Sequence, residues 1–475
     1  MSVRVLFIGE YRYFESLSVL SLASFIESNG HECLYLDMKL ERNMNREIAR
    51  FKPDIIAYSV TTGRHKMYRD LNSLLKMEFN FISVFGGPHC TFYPDFINEN
   101  GVDVICVGEG EYALLELADC VAKNKSFSDI SNLWVKTDEG IIKNELRPLI
   151  DDINSLPPPN RSLLDKYPAY KNKKQKSFMT GRGCPYKCTY CFNHVYNKMY
   201  EGKGSIIRKR SVSSIIDEIS KVKAKYKIER IFFYDDIFTF DKEWLKEFCE
   251  RYKNINISFT VGLRVNNTDE EIVSNLKSAG CKRVLFGIEC GNEKLRNNIL
   301  KRHITDEQII VFTQLLRKYK IFPASFNMIG LPDETIENVF ETIQLNIKAG
   351  VKFSYCTVYQ PYPKTELAEY CVLKGYYNGS VEDIPSSYNM GGSPLKTPDI
   401  EQIIRLQSFF SMCITFPFLI PLVKKLIKLK LNKFYIFLFM IYRGFMNVFF
   451  MKDLSLGEVI KDIIATKKHP RKIYY

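Results

Sequence analysis

The sequence lacks the marks of secreted, membrane-spanning and fibrous proteins. No signal-peptide layout precedes the first apolar run, which begins at Val3. No apolar run reaches the ~20 residues that a spanning helix needs, and no short repeat is evident. With 46% hydrophobic and 25% charged residues, the composition also excludes a disordered or collagen-like chain. We therefore expect a cytoplasmic protein with two to four packed domains, at the usual ~100–200 residues each.

Acidic residues are scarce in only one part of the chain. Lys and Arg number 67 against 54 Asp and Glu, which gives a net charge of +13. From Ile403 to Tyr475 there are 13 basic and 3 acidic residues, so this segment carries +10 of that total. The residues before it are nearly neutral and offer no basic surface to a nucleic acid. We expect no nucleic-acid partner.

A disulfide framework is also missing, since the 13 cysteines are an odd number scattered over 475 residues. In a cytoplasmic protein, closely spaced cysteines are metal ligands or reactive thiols. Three stand within eight residues, at Cys184, Cys188 and Cys191. A closed zinc site needs a fourth ligand, for which His194 is available. A zinc-stabilised membrane or nucleic-acid adaptor is therefore the non-enzyme alternative.

Residues 1–130 alternate short apolar runs with segments of helical period. This alternation predicts βαβ units and a doubly wound, Rossmann-like parallel sheet. Such a sheet binds ligands at the carboxyl ends of its strands. Glycine turns follow the fourth and fifth predicted strands, so the candidate binding residues there are Gly86, Gly87, Gly108 and Glu109.

A hairpin and a linker are expected at 131–170, because the prolines at 157–159 cannot continue a helix or a central strand. Six further βα units between 171 and 385 predict a partial TIM-type (β/α)6 barrel, with its chemistry at the carboxyl ends of the strands. Its first strand is predicted at Phe178–Thr180. Residues 386–475 form an α-helical, basic and apolar region. The expected fold class is α/β.

The segment from Gly181 to Asn193 resembles the signature of the radical S-adenosylmethionine (SAM) superfamily, CxxxCxxC with an aromatic residue, here Tyr190, before the last cysteine. The resemblance implies that Cys184, Cys188 and Cys191 hold a 4Fe-4S cluster whose fourth iron chelates SAM. It implies cleavage of SAM by one electron to a 5′-deoxyadenosyl radical, inside a cavity that excludes water. It also implies a reducing partner such as flavodoxin or ferredoxin.

Polar residues at the strand ends of the barrel match the same family. Asp235 and Asp236 close the second strand, where relatives place groups that receive the SAM amino group. Glu289 closes the fourth strand and resembles the acid that contacts the ribose or methionine moiety of SAM. Arg264 follows the third strand and is a candidate partner for the SAM carboxylate. The alternative role for each is a strand-end salt bridge.

The N-terminal sheet resembles the cobalamin (B12)-binding class of these enzymes, with matching segments at Gly86 to His89, Asp103 to Glu111 and the prolines at 157–159. Glycine turns let a flat corrin approach the backbone. The loop after the first strand lacks the His of a DxHxxG motif, so cobalamin would sit without a His on its lower face or would not bind. We interpret His31 and His89 as packing or turn residues.

The combined resemblance implies methyl transfer from methylcobalamin to an unactivated substrate carbon, after hydrogen abstraction by the deoxyadenosyl radical. The alternative is a radical SAM cyclase or rearrangement enzyme with a degenerate B12-like domain. The substrate is expected to be a small or lipid-like molecule, with Tyr11, Tyr13, Cys290 and Tyr359 as candidate cavity residues.

The C-terminal tail mixes Lys and Arg with Phe, Leu and Ile, and its apolar runs are interrupted by Pro417, Pro421 and Arg443. This composition favours helices that lie on an anionic membrane surface, a peripheral contact. The alternative is that these helices cap the substrate mouth of the barrel.

Overall fold

The computed structural model describes residues 2–11, 14–387 and 392–446. These residues divide into two compact units. The first unit comprises the residues up to 186 together with 192–262 and 278–281, and the second comprises 187–191, 263–277 and the residues from 282 onward. Tyr13 and residues 447–475 of the tail lie outside the described residues.

The strands are numbered in chain order. They are β1 (Arg4–Gly9), β2 (Glu32–Asp37), β3 (Ile55–Ser59), β4 (Ile82–Gly86), β5 (Val104–Cys106), β6 (Leu133–Thr137), β7 (Gly140–Lys143), β8 (Gln175–Phe178), β9 (Gly181–Arg182), β10 (Arg208–Lys209), β11 (Arg230–Phe233), β12 (Ser258–Leu263), β13 (Cys281–Glu289), β14 (Phe322–Ile329) and β15 (Phe353–Val358).

The helices are numbered in the same way. They are α1 (Leu17–Ser28), α2 (Met44–Phe51), α3 (His65–Glu78), α4 (Pro88–Phe92), α5 (Glu111–Ala122), α6 (Pro168–Lys171), α7 (Phe192–Met199), α8 (Val212–Lys225), α9 (Lys242–Tyr252), α10 (Glu270–Ser278), α11 (Asp306–Lys318), α12 (Ile336–Lys348), α13 (Glu366–Leu373), α14 (Ile400–Gln407), α15 (Phe410–Thr415), α16 (Ile420–Leu426) and α17 (Asn432–Phe445).

The N-terminal sheet has the strand order β2-β1-β3-β4-β5-β6-β7. Strands β1 to β5 run parallel. Both faces of the sheet are buried, since Val5 and Phe7 of β1 belong to one apolar core and Leu6 and Ile8 to another. Continuous apolar strands are typical of parallel sheets covered on both faces. The doubly wound sheet expected from the sequence is confirmed.

The hairpin expected within 131–170 is formed by β6 and β7, and it extends the N-terminal sheet. β6 pairs antiparallel with β5, with Leu133 opposite Cys106, and β7 pairs with β6. Without this hairpin, β5 would be an edge strand with unpaired backbone groups. The first sheet therefore extends to Lys143, beyond the expected domain end at residue 130.

The barrel strands of the first unit are β8, β11 and β12. β11 pairs in parallel with β8 on one side and with β12 on the other. β8 covers Gln175–Phe178, earlier than the strand expected at Phe178–Thr180. The sequence conceals this start because Lys176 is buried there, with its Nζ 2.6 Å from Glu15 Oε1, whereas lysine is almost never fully buried unless it is paired.

The barrel strands of the second unit, β13, β14 and β15, are parallel neighbours in that order. Helices α11 and α12 each begin with a capping box, of Thr305 with Gln308 and of Thr335 with Asn338. Counting β8, β11 and β12, the chain has the six strand–helix repeats of a partial (β/α)6 barrel. The α/β fold class is confirmed.

The start of the C-terminal tail covers the free edge of β15. Helices α14 and α15 supply donors to three alternate carbonyls of the strand region: Gln407 Nε2 to Cys356 O at 3.1 Å, Ser411 Oγ to Ser354 O, and Thr415 Oγ1 to Lys352 O at 3.2 Å. These bonds satisfy acceptors that an edge strand leaves open. The helices therefore bury their apolar faces along the sheet edge. No helix among the described residues is long and apolar enough to cross a membrane.

Candidate active site

The cysteine loop lies between β9 and α7. Cys188 is 5% exposed, whereas Cys184 and Cys191 are partly exposed. None of the three forms a disulfide, and Cys191 N donates to Cys188 O at 3.1 Å. The preceding residue, Gly183, has φ +93°, and a Cβ there would lie 2.0 Å from Ile206 O. The turn into the loop therefore requires glycine.

The donor chemistry of this loop fits an iron–sulfur cluster. Thiolates are the ligands of such clusters, and each ligand of a 4Fe-4S cubane binds a different iron, so the three sulfurs need not converge on one point. A zinc site is different, since its ligands must surround one ion. Among the residues that the structure describes, no group of three or more His, Cys, Asp or Glu side chains could hold a metal ion.

The guanidinium of Arg264 lies next to the sulfur of Cys188. In the second unit, its Nη1 donates to Cys188 Sγ at 3.5 Å, and its Nη2 donates to Arg302 O at 2.6 Å. Its Nε donates to Asn266 Oδ1 at 2.9 Å. The guanidinium thus faces a cysteine of the loop and protein oxygens, while its expected role as partner of the SAM carboxylate stays a prediction.

Tyr190 and Glu289, both expected at the SAM site, are brought together by Arg302. Tyr190 OH donates to Glu289 Oε1 at 3.2 Å and accepts from Arg302 Nη1 at 3.0 Å. Arg302 Nη2 also donates to Gly287 O at 2.6 Å. The side chain of Arg302 is 8% exposed, and its guanidinium lies 3.7 Å from the Glu289 carboxylate.

The backbone conformation at Glu289 directs its side chain toward Tyr190 and Arg302. The pairing of β13 with β14 shifts register between Gly287 and Glu289, and Glu289 has φ +65°. A positive φ at a non-glycine residue is strained, and such strain concentrates at functional sites. Burial raises the pKa of Glu289, against the opposing effects of Arg302 and Tyr190.

Asp235 and Asp236 lie in the first unit, after β11. The carboxylate of Asp235 accepts from Thr180 N at 3.1 Å, from Thr180 Oγ1, and from Lys209 Nζ at 3.4 Å. Asp236 accepts from Gly183 N at the start of the cysteine loop, and it is the more exposed of the two. Asp235 thus acts as a strand-end anchor in this structure. Asp236 also accepts from the Asn193 side chain, and its expected role toward the SAM amino group stays a prediction.

A cavity of about 340 Å³ lies at the carboxyl edge of the N-terminal sheet. All four residues predicted there, Gly86, Gly87, Gly108 and Glu109, line it, and so do the linker prolines Pro157 and Pro159. Gly87 and Gly108 have φ +88° and +87°. A Cβ on Gly108 would lie 1.8 Å from Tyr200 OH. The glycines are therefore required by the backbone as well as by the space that a flat ligand needs.

Glu109 forms one wall of this cavity. Its carboxylate accepts from Arg182 Nη1 at 2.7 Å, from Arg208 Nη1 at 2.9 Å and from Ile150 N at 3.0 Å. Burial alone would raise the pKa of Glu109, but the two guanidinium groups hold it below its ordinary value. Glu111 also pairs with Arg182, at 2.5 Å. Glu109 is thus an ionised anchor of the wall.

Histidine does not reach the cavity. No His is among its lining residues in the described part of the chain. His89 stacks on His65 with ring centroids 4.2 Å apart and bonds Thr62 Oγ1 at 3.1 Å. His31 Nδ1 accepts from Val3 N at 3.2 Å. Both predicted packing roles agree with these contacts, and a corrin in this cavity would have no His ligand from its lining.

Sequence reasoning missed three arginines of these two sites. Arg182 stands inside the quoted cysteine signature, so its position next to Gly183 was an available signal. Arg208 and Arg302 follow no motif, and arginines are normally exposed. Their partners, Glu109 and Glu289, are distant in sequence, so only the fold identifies them.

Models of two protein families match the chain. The radical SAM superfamily matches residues 178–345, and the B12 binding domain matches residues 7–118. These ranges contain the cysteine loop with Glu289 and the lining glycines, respectively.

Curated relatives include an uncharacterised methyltransferase of Pyrococcus horikoshii, 32% identical over 369 residues, which are 75% of this chain and 78% of the relative. An anaerobic magnesium-protoporphyrin IX monomethyl ester cyclase of Rubrivivax gelatinosus is 25% identical over 369 residues, 74% of this chain and 65% of the cyclase.

Among solved structures, the radical SAM methyltransferase TsrM from Kitasatospora setae, with cobalamin and a 4Fe-4S cluster bound, is similar to this chain with a TM-score of 0.66. The two sequences are 19% identical, and the match covers 78% of this chain and 79% of the TsrM chain. This likeness is one of fold. Together with the two family models and the Pyrococcus relative, it shows that the chain belongs to the radical SAM enzymes of the cobalamin-binding class, whose cofactors are a 4Fe-4S cluster, SAM and cobalamin.

Proposed function

We propose that the protein is a cobalamin-dependent radical SAM methyltransferase that methylates an unactivated carbon of a small-molecule substrate. The observation that carries this proposal is the N-terminal cavity, which supplies a place for a corrin at the carboxyl edge of a doubly wound sheet. A radical SAM enzyme without cobalamin chemistry would not need it.

The residues of the chain have separable roles in this proposal. Cys184, Cys188 and Cys191 would hold the cluster, and Glu289, oriented by Tyr190 and Arg302, would bind a polar group of SAM. When bound, the cluster and SAM supply a carbon radical, and cobalamin supplies the methyl group. The buried position of Cys188 and Arg302 keeps water from this side of the site.

The test is product analysis after anaerobic reconstitution with iron, sulfide and cobalamin, with titanium citrate or reduced flavodoxin as electron source. A methyltransferase converts SAM to both 5′-deoxyadenosine and S-adenosylhomocysteine, because one SAM makes the radical and another remethylates cobalamin. The variants C184A, C188A and C191A should neither bind iron nor form 5′-deoxyadenosine. Absence of S-adenosylhomocysteine from a cobalamin-loaded, SAM-cleaving protein would reject methyl transfer.

The cyclase or rearrangement alternative is supported by the 25% identity to the Rubrivivax cyclase. The same experiment separates the two functions. A cyclase consumes SAM to 5′-deoxyadenosine without forming S-adenosylhomocysteine, so the ratio of the two products decides.

For the tail we propose peripheral contact of a cytoplasmic enzyme with an anionic membrane. The α16–α17 surface, defined as residues 417–446, has six basic residues and no acidic one. Its apolar side chains are exposed at Phe418, Leu422, Leu429, Leu431, Phe434, Phe437, Met440, Ile441 and Phe445. Exposed apolar residues among lysines suit the boundary between headgroups and acyl chains. A lipid-like substrate would be consistent with this contact.

Sedimentation with vesicles tests this contact. We expect the full chain to bind phosphatidylglycerol-containing vesicles and not phosphatidylcholine alone, with binding that falls as salt rises. The double variant F434S/F437S should lose it, whereas L74S, at another exposed apolar residue, should not. Retention of binding by F434S/F437S, or concentration-dependent dimerisation that this variant abolishes, would contradict a membrane partner.

A further inference from the structure

The environment of Cys188 differs from that of an ordinary buried thiol. The residue is 5% exposed, so a thiolate there has little water to stabilise it. The polar group that the structure places against its sulfur is the guanidinium of Arg264, with Nη1 at 3.5 Å. A charged N–H donor next to sulfur compensates for the lost solvation.

The guanidinium of Arg264 is fixed in place by its other bonds. Nη2 donates to Arg302 O at 2.6 Å and Nε to Asn266 Oδ1 at 2.9 Å, while Arg264 O accepts from Thr268 Oγ1 at 2.8 Å. Three donors on three different acceptors leave the planar group little freedom to turn. Its direction toward Cys188 is therefore built into the fold at the end of β12.

Arg264 also connects this sulfur to the carboxylate expected to bind SAM. The carbonyl that it holds belongs to Arg302, whose own guanidinium bonds Tyr190 OH at 3.0 Å and Gly287 O at 2.6 Å. Tyr190 in turn donates to Glu289. Hydrogen bonds thus link Cys188 to Glu289 through the residues Arg264, Arg302 and Tyr190 of the second unit.

We propose that Arg264 is a positioning residue that tunes the iron–sulfur cluster through the sulfur of Cys188, and that it is not the partner of the SAM carboxylate. Hydrogen bonds and positive charge at the cluster sulfurs stabilise the reduced cluster, which carries one more negative charge. Arg264 therefore raises the reduction potential and makes the cluster easier for a protein donor to reduce. The proposal rests on cluster binding by Cys188 and is independent of cobalamin.

The test is a redox titration of the reconstituted full chain, followed by electron paramagnetic resonance of the reduced cluster, for wild type, R264M and R264K. In R264M we expect the ratio of reduced to oxidised cluster at a fixed ambient potential to fall about tenfold, a shift of about 59 mV to more negative potential for a one-electron couple. R264K keeps the charge without the fork of donors and should fall between R264M and wild type. The control K318M removes a charge from an exposed ion pair with Glu270 and should leave the potential unchanged.

SAM affinity, measured by equilibrium dialysis on the same samples, separates the two roles of Arg264. An unchanged potential in R264M with SAM binding weakened tenfold or more would overturn the proposal and restore the carboxylate role. If R264M fails to take up iron, R264K decides, and a wild-type potential in iron-loaded R264K contradicts the proposal. A wild-type chain that takes up iron but no corrinoid would reject the proposed methyl transfer and leave this measurement valid.

Discussion

At the scale of single residues, a glycine makes room for the carboxylate of Glu289, which we propose binds SAM. A Cβ on Gly287 would lie 2.3 Å from Glu289 Oε1 and 2.7 Å from Arg302 Nη2. The register shift between Gly287 and Glu289 places the carboxylate over this gap, as β-bulges next to active sites often do. The Glu289–Arg302 pair can therefore be disturbed without altering either charge.

The substitution G287A should displace this pair. We expect SAM binding to weaken tenfold or more, with iron content unchanged, and overpacking to cost about 1–3 kcal/mol of stability. The matched control is G262A, because a Cβ on Gly262 in β12 meets nothing within 4 Å. Equilibrium dialysis with SAM is the measurement, and equal affinity in G287A and G262A would contradict the role of Gly287.

Glu334 gives the second unit a pH dependence. Burial raises its pKa from 4.5 to about 8, and its Oε2 accepts from Gly330 N at 2.6 Å and Leu331 N at 3.1 Å. Because the pKa of Glu334 is higher in the folded than in the unfolded chain, the protonated carboxyl stabilises the fold. This stabilisation is complete below about pH 4.5 and is lost as the pH rises toward 8. The loss is at most about 1.4 kcal/mol per pH unit.

The variant E334Q stays neutral, so it should unfold with a flatter pH dependence than wild type between pH 5 and pH 8. Denaturant unfolding at several pH values measures this difference. E243Q, at an exposed residue of α9, should keep the wild-type slope. A wild-type slope in E334Q would show that another group titrates.

At the scale of elements, the sequence predicts those helices and strands whose position is determined by apolar periodicity and by turn residues. The apolar period predicts helices at Leu17–Ser28 and Lys242–Tyr252, and α1 and α9 have these bounds. The three cysteines lie in the loop between β9 and α7. The sequence could not place the start of β8, because Lys176 in this strand is buried in an ion pair with Glu15 and a lysine does not indicate a buried position. It predicted a hairpin in the region of β6 and β7 but not the pairing of that hairpin with β5, because strand pairing at a sheet edge leaves no local mark. The roles of Arg302 and Arg208 could not be predicted from the sequence, because their partners are distant in sequence.

The helices on the edge of β15 yield a prediction for truncated chains. A chain that ends at residue 398 lacks α14 and α15 and exposes both the carbonyls of β15 and apolar residues of their shared cluster. We expect it to aggregate, since a bare apolar edge recruits other strands. A chain that ends at residue 446 keeps these helices and should elute as wild type does in gel filtration with light scattering. Equal behaviour of the two truncations would contradict the edge-covering role.

At the scale of the molecule, a buried ion network joins four segments of the first unit that are distant in sequence. Glu15, after β1, contacts Lys176 of β8 at 2.6 Å and Arg161 of the linker at 3.4 Å, and Arg161 contacts Glu218 of α8 at 2.8 Å. All four side chains are at most 4% exposed. The cavity lining includes Glu218, so this network also supports the proposed corrin site.

Removing one charge from the network should be costly, because the remaining buried ions lose compensation. We expect E15Q to lower the free energy of unfolding by about 3–5 kcal/mol, as measured by denaturant unfolding. E247Q, in the exposed pair with Arg251, should change it by less than about 0.5 kcal/mol. Similar values for both variants would refute the structural importance of the network.

The central claim is that one chain holds a cluster and a corrin at two built sites, and metal analysis tests it most directly. After anaerobic reconstitution with iron, sulfide and cobalamin and subsequent gel filtration, we predict about four iron atoms and about one cobalt per chain. C188A should lose the iron and keep the cobalt. Iron without cobalt in the wild-type protein, or neither metal, would contradict the claim.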